Sequence, residues 1–133
     1  MNTKLHYLFF CLFLLTCIHS NAQINFADKV LDVSREYDPY PEDWCAAQIL
    51  GDPNVYPNYG YIESAWTSPN FGDQQDTIDL WFDNYGPIDS IAIYQTYGIG
   101  LVDKVWVKNP GTTNWDLVYT GTPAPSTSDT SEI

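Results

Sequence analysis

The stretch "TIDLWFDNYGPIDSIAIYQTYGIG", Thr77 to Gly100, decides the fold class. Two apolar and aromatic runs, "TIDLWF" (77–82) and "SIAIYQTY" (90–97), alternate with period two. That spacing turns successive side chains to opposite faces of a strand. Between and after them, "DNYGP" and "YGIG" carry Gly or Pro chemistry suited to turns. Working outward, "KVWVK" (104–108) and "WDLVY" (115–119) repeat the pattern across "NPGTTN", and "ADKVLDVS" near the start reads as a weaker fifth strand. The spacing predicts an all-β chain, an antiparallel β-sandwich or jelly roll, with Ile78, Leu80, Phe82, Ile91, Ile93, Val105 and Val107 facing inward.

One segment breaks the strand pattern. "PEDWCAAQILGDPN" places Pro41, Glu42 and Asp43 where a first helical turn favours them, follows with about two turns of helix-compatible residues, and stops at Gly51 and Pro53. A short helix over about residues 42–50 is expected. It leads into the loop "NVYPNYGYIESAW", rich in Tyr and Asn. Such a helix and loop would close one end of a sandwich, where sandwich domains commonly bind.

The first 22 residues read as a secretory signal: Lys4, the apolar run "LFFCLFLLT" (8–16), then Ser20-Asn21-Ala22 as a cleavage site before Gln23. The run is shorter than the roughly 20 residues of a membrane span, so no membrane insertion is expected after cleavage. "LLTC" (14–17) loosely resembles a lipoprotein acylation site, but Thr16 stands where Gly or Ala is usual, so a cleaved peptide is preferred to anchoring through Cys17. The expected location is outside the cell or on its envelope.

Removing 22 of 133 residues leaves 111, a single domain on length. All 17 acidic residues lie beyond residue 22, whereas only Lys29, Arg35, Lys104 and Lys108 remain of the bases, so the balance moves from −12 to −13. A nucleic-acid partner would require clustered Lys and Arg against phosphate, which excludes that class, and anionic membranes are disfavoured likewise. Cys11 and Cys17 leave with the signal, so Cys45 is alone and reads as a small buried hydrophobe. His6 and His19 leave too, removing imidazole from base, nucleophile-activating and metal-ligand roles. Glu42, Asp43, Glu63 and Asp76 could in principle supply the carboxylate pair, about 5–10 Å apart, of a glycosidase. Nothing in the sequence brings any two together, and the chain is read as non-catalytic.

Together, "AAQILGDPNVYPNYG", "SAW" (64–66), "IDSIAIYQTYGIGLVDKVWV" and "WDLVYTGTPAP" resemble the discoidin-like (F5/8 type C-like, galactose-binding-fold) β-sandwich domains of secreted bacterial surface proteins. As a set they cover almost all of the chain after residue 22. Two positions depart from the family pattern: Gln95 stands where an acid is usual, and Ile99 where Pro is common. The resemblance implies an eight-stranded jelly-roll-like fold and a non-catalytic ligand-binding or adhesion role. It also implies further strands after Pro-Ala-Pro, so that residues 123–133 are either the start of a truncated strand or a Pro/Ser/Thr-rich tail.

Seventeen aromatic residues follow the signal. Aromatic faces stack on sugar C–H surfaces while Asn and Asp bond hydroxyls, so Tyr56, Asn58, Tyr59, Tyr61 and Trp66 form the candidate carbohydrate or cell-surface ligand site. A structural reading makes Trp66 a core anchor and the tyrosines a closure of the sandwich end; the competing function is a protein–protein interaction or structural module of a larger cell-envelope protein. Trp81 and Trp106 alternate with charged residues, as on an outward face. In "FGDQQDTID" Asp73, Asp76 and Asp79 recur every third residue and could supply carboxylate oxygens to Ca2+, although the spacing is not that of an EF-hand, and Asp52 with Asn54 after Gly51 offers a second possibility. No other cofactor is expected.

Overall fold

The computed structural model of the chain describes residues 23–69 and 74–125. Residues 1–22, expected to be a signal, together with Asp73 and the terminal residues from 126 onward, lie outside the described residues.

The chain is β-rich, with its strands in two small antiparallel sheets. β1 (Lys29–Val33) pairs with β2 (Ile78–Trp81), in the register Lys29 with Trp81 and Val33 with Ile78, shifted between Val30 and Asp32. β3 (Lys104–Val107) pairs with β4 (Asp116–Thr120), Lys104 opposite Thr120 and Val107 opposite Asp116, with a shift between Val105 and Trp106. Each strand falls inside a run whose alternation predicts it, except that β4 extends one residue past its run, to Thr120. In β3 the alternation is carried through to burial: Val105 and Val107 are half-buried while Lys104 and Trp106 are exposed. Ile78 and Leu80 are half-buried as expected, whereas Phe82, just past the end of β2, is 38% exposed.

Two expected elements differ. Among the described residues the helix over about 42–50 is a single 3-10 turn, Ala46–Ile49. Trp44 adopts φ 55°, in the left-handed region that opposes continuation of a right-handed helix, and Cys45 is extended, so the first predicted turn cannot form. The Ala46 N–H is satisfied instead by the Glu36 carboxylate at 2.8 Å, ten residues upstream. Gly51 does end the element in a left-handed conformation, φ 79°. The second difference is "SIAIYQTY", which forms no strand. Its backbone bends at 96–98 and makes only an isolated bridge at Ile99; Ile91 is exposed.

Among the described residues, the buried apolar ones are Ala27, Cys45, Ala46, Val55 and Ile99, drawn from the segment before β1, the 3-10 turn and the residue before it, the loop that follows and the bridge. Cys45 is buried and free, as its apolar neighbours predict. Gly100 closes the region around the bridge. It donates its N–H to the Gln95 side chain, accepts from Ala124 N–H, has φ 88°, and leaves no room for a Cβ, which would stand 2.6 Å from the Ala124 carbonyl oxygen. Gln95 thus has a structural task of its own, bracing the turn that buries Ile99.

Candidate functional site

The loop from Val55 to Tyr61 is built on a turn in which Asn58 N–H donates to the Val55 carbonyl, with Val55 anchored in the interior. At its far side Gly60 N–H donates to the Thr96 carbonyl at 2.7 Å. That bond lays the loop against the bent segment 94–97, and the tyrosines of the two segments meet. Tyr56 and Tyr94 contact edge to face, ring centroids 5.1 Å apart. Tyr97 lies between two loop rings, 5.8 Å from Tyr59 and 4.7 Å from Tyr61. Aromatic pairs at such separations and tilts are mutually attractive through their quadrupoles. Tyr59, Tyr61, Tyr94 and Tyr97 nevertheless remain between 38% and 62% exposed, and Asn58 is exposed beside them. The result is an open aromatic surface edged by phenol hydroxyls and a carboxamide.

Of the residues singled out in the sequence, Tyr56, Asn58, Tyr59 and Tyr61 therefore share one surface. Trp66 does not join it: among the described residues no ring contact links Trp66 to a tyrosine. Its segment is tied to Trp44, with Trp44 N–H donating to Glu63 O and Thr67 N–H to Trp44 O. The Trp66 Nε1 is buried without a hydrogen-bond partner, as is that of Trp44, whose ring packs edge-on against Tyr37 at 5.4 Å. Tyr94 and Tyr97 are members that sequence reasoning missed. Three residues apart, they fall on opposite faces of a strand, and the expected strand over 90–97 would have separated them. The bend at 96–98 brings both toward the loop.

Trp106 and Trp115, both exposed, and Trp81, half-buried rather than on the outward face expected of it, are already engaged. Lys104 Nζ lies 5.9 Å from the Trp106 ring centre and Lys108 Nζ 5.4 Å from that of Trp115, while Trp81 Nε1 donates to Asp83 at 2.8 Å. A sugar would have to displace a lysine from either of the first two.

The acidic candidates take different places. Asp76 receives a two-pronged bond from Arg35, Nε to Oδ1 at 2.7 Å and Nη2 to Oδ2 at 3.0 Å, and another from Ser34 Oγ. Burial works to raise its carboxyl, but the hydrogen bonds from Arg35, Ser34 and Ser68, with the guanidinium charge, outweigh burial and hold it below the usual carboxylate value. Asp76 thus serves an ion pair. Asp52 lines a polar cleft of about 440 Å³ with Gln23, Asn25, Asp28 and Asn84. Among the described residues, no three Asp, Glu, His or Cys are grouped as a metal site. Nor is any helix among them long and apolar enough to cross a membrane.

No family model matches this chain, and neither the curated proteins nor the solved structures yield a significant match.

Proposed function

We propose that the chain is a secreted, non-catalytic β-sandwich module of discoidin-like type that recognises carbohydrate, on a free glycan or a cell surface, through the tyrosine surface formed by the loop 55–61 and the segment 94–97. The observation that carries this reading is the convergence of Tyr56, Tyr59 and Tyr61 with Tyr94 and Tyr97 while most of their rings stay open to solvent. A domain that needed these rings only for its core would bury them. Stacking of pyranose C–H faces on tyrosine, with hydroxyls bonded by phenols and Asn58, is the chemistry such a surface offers. The test is calorimetric titration with neutral oligosaccharides. Tyr59→Ala and Tyr61→Ala should each weaken binding at least tenfold with little change in the melting temperature. Loss of folding in both variants would remove these residues from a binding surface.

A second reading has its own support. Leu31, Ile88, Leu117 and Val118 are each more than half exposed. Apolar surface of this kind suits a module that packs on other domains or proteins of a cell envelope. Association that rises with protein concentration and does not respond to sugar would favour it.

A further inference from the structure

The angles within the tyrosine surface bear on the form of glycan it takes. Tyr97 meets Tyr59 at a centroid separation of 5.8 Å and Tyr61 at 4.7 Å, each close to the length of a pyranose unit. The planes are not parallel: the Tyr59 ring is tilted 32° from that of Tyr97, and the Tyr61 ring 49°. Between Tyr56 and Tyr94 the tilt is 61°. A single flat face cannot lie against rings inclined in this way. The tilts are also held in place. The Gly60 N–H bond to the Thr96 carbonyl ties the two backbones together, and each ring pair is fixed by its own attraction. The surface is larger than one sugar covers. Tyr59, Tyr61, Tyr94 and Tyr97 are 38%, 62%, 43% and 46% exposed, which leaves on the order of 300–500 Å² open over the four, the size of patch that marks a binding surface.

We infer that the tyrosine surface takes an internal stretch of a single, soluble polysaccharide chain, at least one sugar unit for each of Tyr59, Tyr97 and Tyr61, in preference to an isolated terminal sugar or the flat face of a crystalline polysaccharide. This inference rests on the carbohydrate reading and narrows it to the length and physical form of the ligand. A linear chain in solution twists about its glycosidic bonds, so consecutive units can follow rings whose planes turn from Tyr59 through Tyr97 to Tyr61. A crystal face holds its units in one plane and meets one ring at a time. Asn58, exposed beside the rings, offers both a donor and an acceptor to the hydroxyls along the chain. Because the rings are preorganised, little ordering cost is left to binding. Each engaged ring is worth roughly tenfold in affinity, the upper end for aromatic contacts.

The experiment is calorimetric titration of the protein with di-, tetra- and hexasaccharides of the cello-, malto- and chito-oligosaccharide series, with each parent polymer also offered as crystalline and as amorphous particles in a depletion assay. In a series that binds, the tetrasaccharide should be at least tenfold tighter than the disaccharide, and the hexasaccharide should add no more than about threefold once the rings are covered. The amorphous polymer should deplete the protein from solution and the crystalline one should leave it there. Tyr61→Ala should cost the tetrasaccharide at least tenfold but the disaccharide less than about threefold, since a disaccharide still finds Tyr59 and Tyr97; Tyr59→Ala serves the same purpose should Tyr61→Ala fail to fold. A disaccharide that binds as tightly as the hexasaccharide overturns the inference while leaving the carbohydrate reading intact. So does equal depletion by crystalline and amorphous particles, or an equal loss for both lengths in the alanine variant, which would place the whole site at one ring. Failure of every series to bind removes the carbohydrate reading and the inference with it.

Discussion

The two strand pairs are alike in size and antiparallel sense, yet they are held together differently. β1 and β2 are far apart in sequence, and polar side chains staple both ends of their pairing. At one end Arg35 and Ser34 grip Asp76, with Ser34 Oγ also accepting from Thr77 N–H. At the other, Lys29 bonds Asp83 and the Asp28 carboxylate accepts from Asp83 N–H. β3 and β4 are neighbours joined by one loop, and the side-chain contacts on their outer face are lysines lying over tryptophans. Closing a longer loop costs more chain entropy, though the cost grows slowly with length. The distant pair has specific, directional bonds to fix its register; the local pair relies on its connection.

Breaking the Arg35–Asp76 pair should have the largest effect. With side chains only 24% and 9% exposed, Arg35→Ala leaves a carboxylate largely out of water with no countercharge, and a loss of about 3 kcal/mol in urea unfolding at pH 7 is expected. A loss below about 1 kcal/mol would show that the staple is dispensable. Next comes Gly100→Ala, in the turn that precedes β3. It sets a Cβ against the Ala124 carbonyl at a backbone conformation costly for alanine, and should cost about 2 kcal/mol. If it costs more than Arg35→Ala, the comparison is reversed.

Acid separates the two regions without mutation. The Asp76 carboxyl is held below its ordinary value of 3.8 in the folded chain, so its contribution is fully present above that value and is lost as pH falls through the lower, folded one. Unfolding followed between pH 5 and pH 2 should therefore show a decline that is shallower in Asp76→Asn. A variant as steep as the parent would place the acid sensitivity elsewhere. The smallest effects belong to the exposed contacts. Lys108→Gln removes one exposed cation–π contact and should cost no more than about 1 kcal/mol. Lys29→Gln, which breaks an ion pair more than half exposed on both sides, should leave the urea midpoint unchanged.

The same contrast explains which parts of the fold were legible in advance. β2, β3 and β4 fall within alternating β-branched and aromatic runs, and β1 within the weaker one, because that pattern suits a half-buried pleated surface. The run over 90–97 has the same pattern and is not a strand. Alternation states what a strand would bury, but a strand exists only where another backbone supplies its hydrogen bonds, and this segment spends the Thr96 carbonyl on Gly60 instead. The helix signal failed for a different reason. Pro41, Glu42 and Asp43 are individually compatible with a helix start, but Trp44 is held by Glu63 and Thr67 of a later segment in a conformation that no local propensity anticipates.

At the candidate site the split is between membership and assembly. Tyr56, Asn58, Tyr59 and Tyr61 are close in sequence, and a Tyr/Asn loop between turn residues declares itself as exposed. Trp66 is close to them along the chain, but the residues flanking it, Glu63 and Thr67, are bonded to Trp44. Tyr94 and Tyr97 could not have been added, since their joining depends on one backbone bond from Gly60 and one bend at 96–98.

By itself, then, the sequence determined the β-rich character, the positions of four strands, the acidic charge and the lack of any imidazole beyond residue 22, because these follow from residue type and short-range periodicity. Only the tertiary structure decided which strands pair, which aspartate is consumed by an arginine 41 positions away, and which tyrosines share a surface. Those are contacts between distant segments, and their energy depends on where the backbone carries each side chain, which no local pattern encodes.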